Sequence, residues 1–213
     1  MLKELIQLPN LLSLSRILLT PIIGYFLALG DNQSTLICVV LLFVAGITDG
    51  LDGYLARKMN KISQLGIMLD PLADKIFAAF LVILLILYRD FPLWLALVIV
   101  GRDLVIIIAG ALIFRGQKLA VPSNLTGKYT FTIIAFLLGS YVIRFEFGMI
   151  FCTYLTLLMI ALSLYNYTRT FIYIKKHGEP PLFRDKKIYL YLRILVQVSF
   201  LAIFISQMFL FLF

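Results

Sequence analysis

Charge is scarce in this chain. Only 14% of its 213 residues are Asp, Glu, Lys or Arg, whereas 62% are hydrophobic. A soluble domain typically has about 25% charged and about 45–50% apolar residues. The composition therefore excludes an ordinary soluble domain and predicts an integral membrane protein.

Cysteine and histidine are nearly absent, with Cys38, Cys152 and His177 as their only members. Both cysteines lie within apolar runs and are expected to be small buried hydrophobic residues. They supply neither a disulfide framework nor the spacing of a zinc site. The chain also lacks a glycine-rich phosphate loop and a G-x-S-x-G nucleophile motif. Candidate chemistry has to be sought among other side chains.

Long apolar runs fill most of the sequence. A bilayer core needs roughly 20 apolar residues per helical span, so we predict an all-α, multi-pass membrane protein. We expect one membrane domain over residues 1–176, and a cytosolic linker with an extra hydrophobic helix over residues 177–213. The last run either forms a seventh span or lies on the membrane surface. The predicted runs are Leu11–Leu29, Leu36–Leu55, Leu69–Leu87, Leu93–Phe114, Tyr129–Ile143, Met149–Ile174 and Ile188–Phe213.

Lysine and arginine are distributed unevenly between the two sides of these runs. One side has Arg89 and Arg144, which are offset by Asp31, Asp90 and Glu146. Cytoplasmic loops carry an excess of Lys and Arg, so the richer side is predicted to be cytoplasmic. The net charge of +8 indicates attraction to anionic membrane lipids and gives no separate support for nucleic-acid binding. The richer side bears Lys3, Arg57, Lys58, Lys61, Arg115, Lys118, Lys175, Lys176, Arg184, Lys186 and Lys187.

Acidic residues cluster in the stretch "ITDGLDGYLARKMNKISQLGIMLDPLADK", residues 47–75. Asp49 and Asp52 are three residues apart and Asp70 and Asp74 are four apart, so each pair shares a helix face. A short basic link joins the two predicted helices, which are therefore antiparallel neighbours with their carboxylates converging near the cytoplasmic surface. Carboxylate ligands suit hard ions, so the sequence predicts a site for Mg²⁺ or Mn²⁺.

Other residues of this stretch fit a phosphate-containing ligand. Arg57 and Lys75 lie beside the acids and could hold a phosphate. Gly53 and Gly66 leave room for a ligand, or alternatively for tight helix packing in lipid. Three alternatives stay open: interfacial acids paired with nearby cations, a divalent-cation transporter, since intramembrane carboxylates also mark ion paths, and a structural membrane scaffold.

The stretch resembles the signature of the CDP-alcohol phosphatidyltransferases. The upstream segment "PNLLSLSR", from Pro9 to Arg16, is similar to an N-terminal stretch of that family. The segments "GRDLVII" and "PSNLTGK" resemble its weaker C-terminal motifs, so the resemblance extends from about Pro9 to Lys176. The matching pattern is Asp49-x-x-Asp52-Gly53-x-x-Ala56-Arg57, eight residues, then Gly66-x-x-x-Asp70-x-x-x-Asp74.

The resemblance implies a six-helix transmembrane bundle, here with a seventh hydrophobic segment, and a cytosol-facing cavity that holds two divalent ions. It implies transfer of the phosphatidyl group of CDP-diacylglycerol to an alcohol or lipid acceptor with release of CMP, in a membrane homodimer, with a bacterial inner membrane as the expected location. By matching position, Asp74 is the general base. The implied metal ligands are Asp49, Asp52, Asp70 and Asp74. The implied CDP-binding residues are Asp49, Gly53, Ala56, Arg57 and Gly66, and the acceptor-binding residues are Arg102, Lys128, Lys75 and Arg16.

The identity of the acceptor depends on the fourth predicted helix. Arg102 and Lys128 are expected near cytoplasmic helix ends, where they could bind an acceptor phosphate or simply extend toward water. Phosphatidylglycerophosphate synthases typically have Arg-Glu followed by a second arginine eight residues later. This chain has Arg102-Asp103 and then Gly110, which looks more like the CMP-forming cardiolipin synthases. We therefore expect phosphatidylglycerol as acceptor, with glycerol 3-phosphate as the alternative and inositol phosphate, serine or choline less favoured.

Overall fold

The computed structural model describes residues 8–58, 64–113, 125–177 and 187–212, and the side chains chiefly of residues 15–48, 73–110, 126–176 and 194–207. Within these ranges the chain is helical and has no strand. The helices are α1 (Leu8–Leu29), α2 (Asn32–Lys58), α3 (Gln64–Tyr88), α4 (Leu93–Ile113), α5 (Leu125–Val142), α6 (Glu146–His177) and α7 (Lys187–Leu212).

Every predicted apolar run lies within or closely matches one of these helices, so the all-α prediction is confirmed. Several helices extend beyond the apolar runs because polar residues continue the same hydrogen-bonded turns, as in α2, which ends at Lys58 rather than Leu55. Two segments of the described ranges are long and apolar enough to cross a bilayer, Leu93–Gly110 and Glu146–Lys176. Shorter apolar segments are Ser15–Leu29, Asn32–Thr48 and Ile194–Gln207.

The chain forms two compact units, Met1–Phe91 and Pro92–Phe213. In the first unit α1 packs against both α2 and α3. The Cys38 thiol of α2 contacts the Ile23 carbonyl of α1 at 3.6 Å. A Cβ at Gly24 of α1 would approach Leu84 of α3 to 2.9 Å, so glycine permits close packing of these two helices.

The contacts fix the helix directions in the first unit. Arg16 contacts Asp74, and Arg89 contacts the Leu27 carbonyl, so residue numbers rise together along α1 and α3. These two helices are parallel, and α2 runs antiparallel to both.

A buried arginine holds the C-terminal end of α1. Arg89 is only 4% exposed. Its Nη1 donates to the carbonyls of Leu27 and Tyr88, each at 3.2 Å, and its Nη2 donates to Thr35 Oγ1 at 3.2 Å. The last carbonyls of a helix lack partners within the helix and carry partial negative charge. Arg89 therefore satisfies the ends of α1 and α3 and ties them to the start of α2.

Two helices end in left-handed residues that are not glycine. Asp90 follows α3 with φ 53°, and the Phe91 amide donates back to the Leu85 carbonyl at 3.2 Å. Arg144 follows α5 with φ 54°, and the Phe145 amide donates to the Ser140 carbonyl at 2.9 Å. The hydrogen bond from Phe145 to Ser140 is that of the Schellman motif, in which glycine usually takes the left-handed position.

In the second unit α5 and α6 are antiparallel and share polar contacts. Thr130 is fully buried and its hydroxyl contacts the Thr126 and Met159 carbonyls at 2.7 and 3.2 Å. The amide of Asn166 donates to the Thr126 hydroxyl at 3.4 Å. Buried hydroxyls thus find partners along this helix pair, as a low-dielectric interior requires.

Helix α7 lies alongside α5 in the same direction. Gln197 donates to the Thr132 hydroxyl at 3.2 Å, and the Phe136 and Phe200 ring centroids are 4.8 Å apart. A Cβ at Gly139 would approach Phe204 to 3.0 Å. Residue numbers on both helices rise together through these contacts, so α7 is parallel to α5.

Candidate functional site

The signature stretch occupies two helix ends of the first unit. Asp49 and Asp52 lie in the last turns of α2, and Asp70 and Asp74 lie in the first turns of α3. Because α2 runs antiparallel to α3, these four positions lie toward the same end of the unit. The side chain of Asp74 is described.

The remaining signature side chains lie outside the described part of the chain. The prediction that four carboxylates converge therefore stays a prediction, and so do the CDP-binding assignments. Among the described residues, no group of three His, Cys, Asp or Glu side chains lies together as a metal site would require. The side chains concerned are those of Asp49, Asp52, Gly53, Ala56, Arg57, Gly66 and Asp70.

Asp74 forms an ion pair with Arg16 of α1. Arg16 Nη1 donates to Asp74 Oδ1, across 58 positions of sequence. The two side chains differ in exposure, with 4% for Arg16 and 37% for Asp74. A guanidinium keeps its charge at any pH a protein meets, so its burial is tolerable only with strong partners. The carboxylate of Asp74 supplies one and still reaches the surface of the unit.

Lys75 follows Asp74 on α3 and is exposed. Successive residues of a helix point in different directions, so Lys75 and Asp74 do not share a face. Its predicted role in binding an acceptor stays a prediction, as does that of Arg16.

Arg102 is at the centre of a second polar cluster, in the second unit. Its side chain is 13% exposed, and its Nη1 donates to Asp103 Oδ1 at 2.5 Å. Its Nη2 donates to the Ser163 hydroxyl of α6 at 2.6 Å. The guanidinium carbon lies 5.9 Å from the Tyr167 ring centroid, within the range of a cation–π contact. The charge of Arg102 is therefore already shared with one carboxylate and two residues of α6.

Glycine permits this arrangement at the start of α5. A Cβ at Gly127 would lie 3.2 Å from the Tyr167 hydroxyl and 3.6 Å from Arg102 Nη2. A Cβ here would therefore press on the Tyr167 hydroxyl and would lie in ordinary van der Waals contact with Arg102. Lys128 follows Gly127 and is partly buried.

Ser163 and Tyr167 are functional candidates that the sequence reasoning missed. They lie four residues apart and therefore share one face of α6, which is the only signal the sequence offers. Ser163 is fully buried, whereas an isolated serine in an apolar run carries no distinguishing pattern.

The expected position of Arg102 near a helix end is wrong. Arg102 lies at the middle of α4, which runs from Leu93 to Ile113, about 16 Å from its last residue at 1.5 Å per residue. Contacts with Asp103, Ser163 and Tyr167 offset part of the cost of a charge at mid-helix. A charged residue within an apolar helix is a functional candidate by default.

Comparison with known proteins decides the family. The model of the CDP-alcohol phosphatidyltransferase family matches residues 6–172, well over half of the chain. The chain belongs to this family. The resemblance read from the signature is confirmed, and the chain is a phosphatidyltransferase by family. Family membership favours the enzyme over the transporter and scaffold alternatives.

Similar proteins have two different names. A CDP-diacylglycerol–glycerol-3-phosphate 3-phosphatidyltransferase of Aquifex aeolicus is 36% identical over 172 residues, covering 76% of this chain and 94% of that protein. A cardiolipin synthase (CMP-forming)/mitochondrial hydrolase fusion protein of Schizosaccharomyces pombe is 39% identical over 131 residues, covering 62% of this chain and 21% of that protein. The human cardiolipin synthase (CMP-forming) is 40% identical over 123 residues, covering 57% of this chain and 39% of that protein.

Proposed function

We propose that the chain transfers the phosphatidyl group of CDP-diacylglycerol to an alcohol acceptor and releases CMP. The match of the family model over residues 6–172, which includes the whole signature, carries this proposal. The acceptor oxygen forms a bond to the phosphorus that bears the diacylglycerol. The pyrophosphate bond to CMP breaks, and the acceptor proton passes to Asp74.

Asp74 is suited to accept this proton. Its carboxylate is 37% exposed and contacts a buried guanidinium, which fixes its place beside α1. A carboxylate has about four lone-pair sites, so the contact with Arg16 leaves capacity for a further ligand. A positioned base typically contributes about 10²–10⁴ in rate.

The donor set of the signature fits divalent cations. It consists of carboxylates only, Asp49, Asp52, Asp70 and Asp74, on two helix ends of one unit, and hard oxygen ligands suit Mg²⁺ and Mn²⁺. Two such ions, when bound, would neutralise the pyrophosphate and polarise the phosphorus under attack. Arg57, Gly53, Ala56 and Gly66 of the same stretch would lie along the CDP group.

Phosphatidylglycerol is the acceptor that the second unit supports best. A small soluble phosphate ester has to be captured by several free donors, and bidentate arginine contacts are the strong ones. The two terminal nitrogens of Arg102 are already bonded to Asp103 and Ser163. A buried glycine, Gly110, stands where a second arginine would help. A lipid acceptor needs less charge because its acyl chains already hold it in the bilayer, and the product would be cardiolipin.

Glycerol 3-phosphate is the second candidate. The Aquifex protein that carries this acceptor in its name aligns over 94% of its length, whereas the two cardiolipin synthases named above align over less than half of theirs. The similarity to the Aquifex protein thus supports the soluble acceptor, and the fourth-helix residues support the lipid acceptor.

Membrane embedding follows the charge distribution. The ends of α2 and α3 that carry the signature face the cytoplasm, because the basic link between them is on the Lys- and Arg-rich side. The parallel contacts of α7 with α5 support a seventh crossing rather than a helix on the surface, since α7 follows the course of α5 from Thr132 to Gly139. The C-terminus then lies outside.

CMP release by purified protein in detergent or vesicles tests the reaction and its acceptor. With CDP-diacylglycerol and Mg²⁺, we expect more CMP with phosphatidylglycerol than with glycerol 3-phosphate. EDTA should abolish release and added Mg²⁺ or Mn²⁺ should restore it. Full activity in chelator, with metal shown to be absent, would contradict metal dependence. Robust turnover with glycerol 3-phosphate alone would make the second candidate correct.

A variant at Gly110 separates the two acceptors further. Gly110→Arg should lower turnover with phosphatidylglycerol by filling space on α4, whereas Gly110→Ala, the matched control, should retain most of it. Increased turnover of Gly110→Arg with glycerol 3-phosphate would indicate that the missing second arginine sets the acceptor.

A further inference from the structure

We propose that Arg16 is a positioning residue for Asp74, fixing the carboxylate of the reaction's base from the neighbouring helix. This inference rests on the proposed function of Asp74 as proton acceptor. Arg16 Nη1 donates to Asp74 Oδ1 between α1 and α3.

The unequal burial of the pair points to a fixed donor and a working acceptor. The side chain of Arg16 is 4% exposed and is therefore held by the surrounding packing, whereas that of Asp74 is 37% exposed at the surface of the unit. A charge-assisted contact from a buried arginine is stronger than one between exposed groups. The guanidinium therefore limits the directions in which the carboxylate can point.

The charge of the partner also distinguishes the Arg16–Asp74 contact from the contacts that a second buried arginine makes with helix ends. The same two helices hold a second buried arginine, Arg89, whose described contacts are with two carbonyls and a hydroxyl. Two backbone carbonyls and a hydroxyl are thus among the groups that hold Arg89 at the other end of α1 and α3. At Arg16 the partner is instead the last aspartate of the signature, a group whose ionised oxygens the reaction needs.

Arginine is better suited to this task than lysine. Its planar fork fixes the orientation of a carboxylate, whereas an ammonium acts as a point charge on a flexible stem. Oδ1 of Asp74 is the oxygen in contact with Arg16. Orientation by this oxygen keeps the rest of the carboxylate, with its remaining lone pairs, directed to one place.

The experiment compares kcat, KM and thermal stability of Arg16→Gln, Arg16→Lys, Asp74→Asn and the double variant Arg16→Gln/Asp74→Asn. Loss of a residue that orients a functional ligand typically costs about 10–100-fold, so we expect a loss of this size in kcat for Arg16→Gln. KM for CDP-diacylglycerol should change little, and Arg16→Lys should recover part of kcat. In the Asp74→Asn background, Arg16→Gln should have almost no further effect on kcat.

Two controls separate positioning from general damage to α1. Thr20 is buried one turn from Arg16, and its hydroxyl donates back to the Arg16 carbonyl at 3.2 Å. Thr20→Val should keep kcat. Added methylguanidinium should raise the kcat of Arg16→Ala, which leaves a cavity beside a half-exposed carboxylate, and should not raise that of Asp74→Asn. A salt of equal ionic strength should do neither.

The outcomes distinguish this inference from the proposed function. Wild-type turnover together with an unchanged kcat in Arg16→Gln would overturn the role of Arg16 and leave the proposed function standing. Independent, multiplicative losses in the double variant would also overturn it, because two residues that act through each other are not additive. Absence of CMP release by the wild-type protein would contradict the proposed function and this role together.

Discussion

The first unit buries two arginines between the same pair of parallel helices, and the contacts described for each differ in chemistry. Arg89 contacts the carbonyls of Leu27 and Tyr88 and the hydroxyl of Thr35. Arg16 lies about 16 Å from Leu27 along α1, at 1.5 Å per residue, and contacts the carboxylate of Asp74. The carbonyls and the hydroxyl at Arg89 belong to helix ends and join them. The carboxylate at Arg16 belongs to the signature and stays 37% exposed.

Burial of an arginine therefore does not by itself indicate a functional site. Arg16 is 3% exposed and Arg89 is 4% exposed. Arg89 contacts helix ends, whereas Arg16 contacts an aspartate of the family signature. The two ends of the unit thus differ in the chemical group that contacts the buried arginine. The sharpest experiments make the same kind of change at each end and compare the results.

The largest expected contrast is all-or-none labelling of the two ends. In a background without Cys38 and Cys152, a cysteine at Asn32 should react with an impermeant thiol reagent in intact cells, because α2 begins at the Arg89 end. A cysteine at Asn60, in the basic link at the Arg16 end, should resist the reagent until the membrane is permeabilised. The reverse pattern would overturn the cytoplasmic site.

The next effect is on stability and concerns Arg89. Arg89→Gln should lower the free energy of unfolding by about 1–3 kcal/mol, because buried acceptors lose their donor. The turnover of the folded protein should stay near that of the wild type. Denaturation monitored alongside CMP release checks both, with Arg89→Lys as the matched control that keeps the charge. A loss of turnover without a loss of stability would show that the Arg89 end also takes part in the chemistry.

These two arginines also show what the sequence can and cannot reveal. Apolar runs predict the helices because burial in lipid requires internally hydrogen-bonded segments. The spaced aspartates identify the family because ionisable residues are costly in an apolar chain and are therefore rare outside functional sites. No pattern pairs Arg16 with Asp74 at a separation of 58 positions, since that contact depends on α1 and α3 being parallel. In the sequence Arg89 is indistinguishable from an ordinary loop cation, because every residue has a backbone carbonyl and the sequence does not show which ones Arg89 contacts.

The second unit repeats this limit. Arg102 is recognisable as a candidate from its motif, but its partners Ser163 and Tyr167 are not. They come from a helix whose own sequence is apolar and lacks a signature. Helix packing alone brings them to Arg102.

A smaller effect is expected at Asp90, next to Arg89. Its φ of 53° costs roughly 1–2 kcal/mol for an L residue, and the greater freedom of glycine in the unfolded chain offsets roughly 0.5–1 kcal/mol of the gain. Asp90→Gly should therefore raise the free energy of unfolding by about 0.5–1 kcal/mol. Asp90→Ala removes the same charge but keeps Cβ, and should give no such increase. Equal stability of the two variants would argue against backbone strain.

The smallest effect is a pH dependence at the start of α2. The Ser34 amide donates to Asp31 Oδ2 at 3.0 Å, and hydrogen bonds from Ser34 lower the pKa of Asp31 below its ordinary value. A lowered folded-state pKa stabilises the protein above the unfolded-state pKa, and this contribution disappears as the pH falls through the folded-state pKa. Asp31→Ala should thus melt slightly lower than wild type at neutral pH, and the gap should close in acid. Asp31→Asn retains a capping oxygen and should differ less from the wild type in melting temperature at neutral pH. If the difference between Asp31→Ala and the wild type did not change with pH, the lowered pKa of Asp31 would not be its cause.

The role of Asp74 is tested most directly by the rate of CMP formation from CDP-diacylglycerol in wild-type protein and in Asp74→Asn, with Mg²⁺ and phosphatidylglycerol present. The wild type should form CMP and cardiolipin in equal amounts. The rate of Asp74→Asn should be about 10²–10⁴ lower, with binding of CDP-diacylglycerol mostly retained. Turnover of Asp74→Asn near the wild-type rate, in protein shown to be folded, would contradict the assignment of the reaction to this end of the molecule.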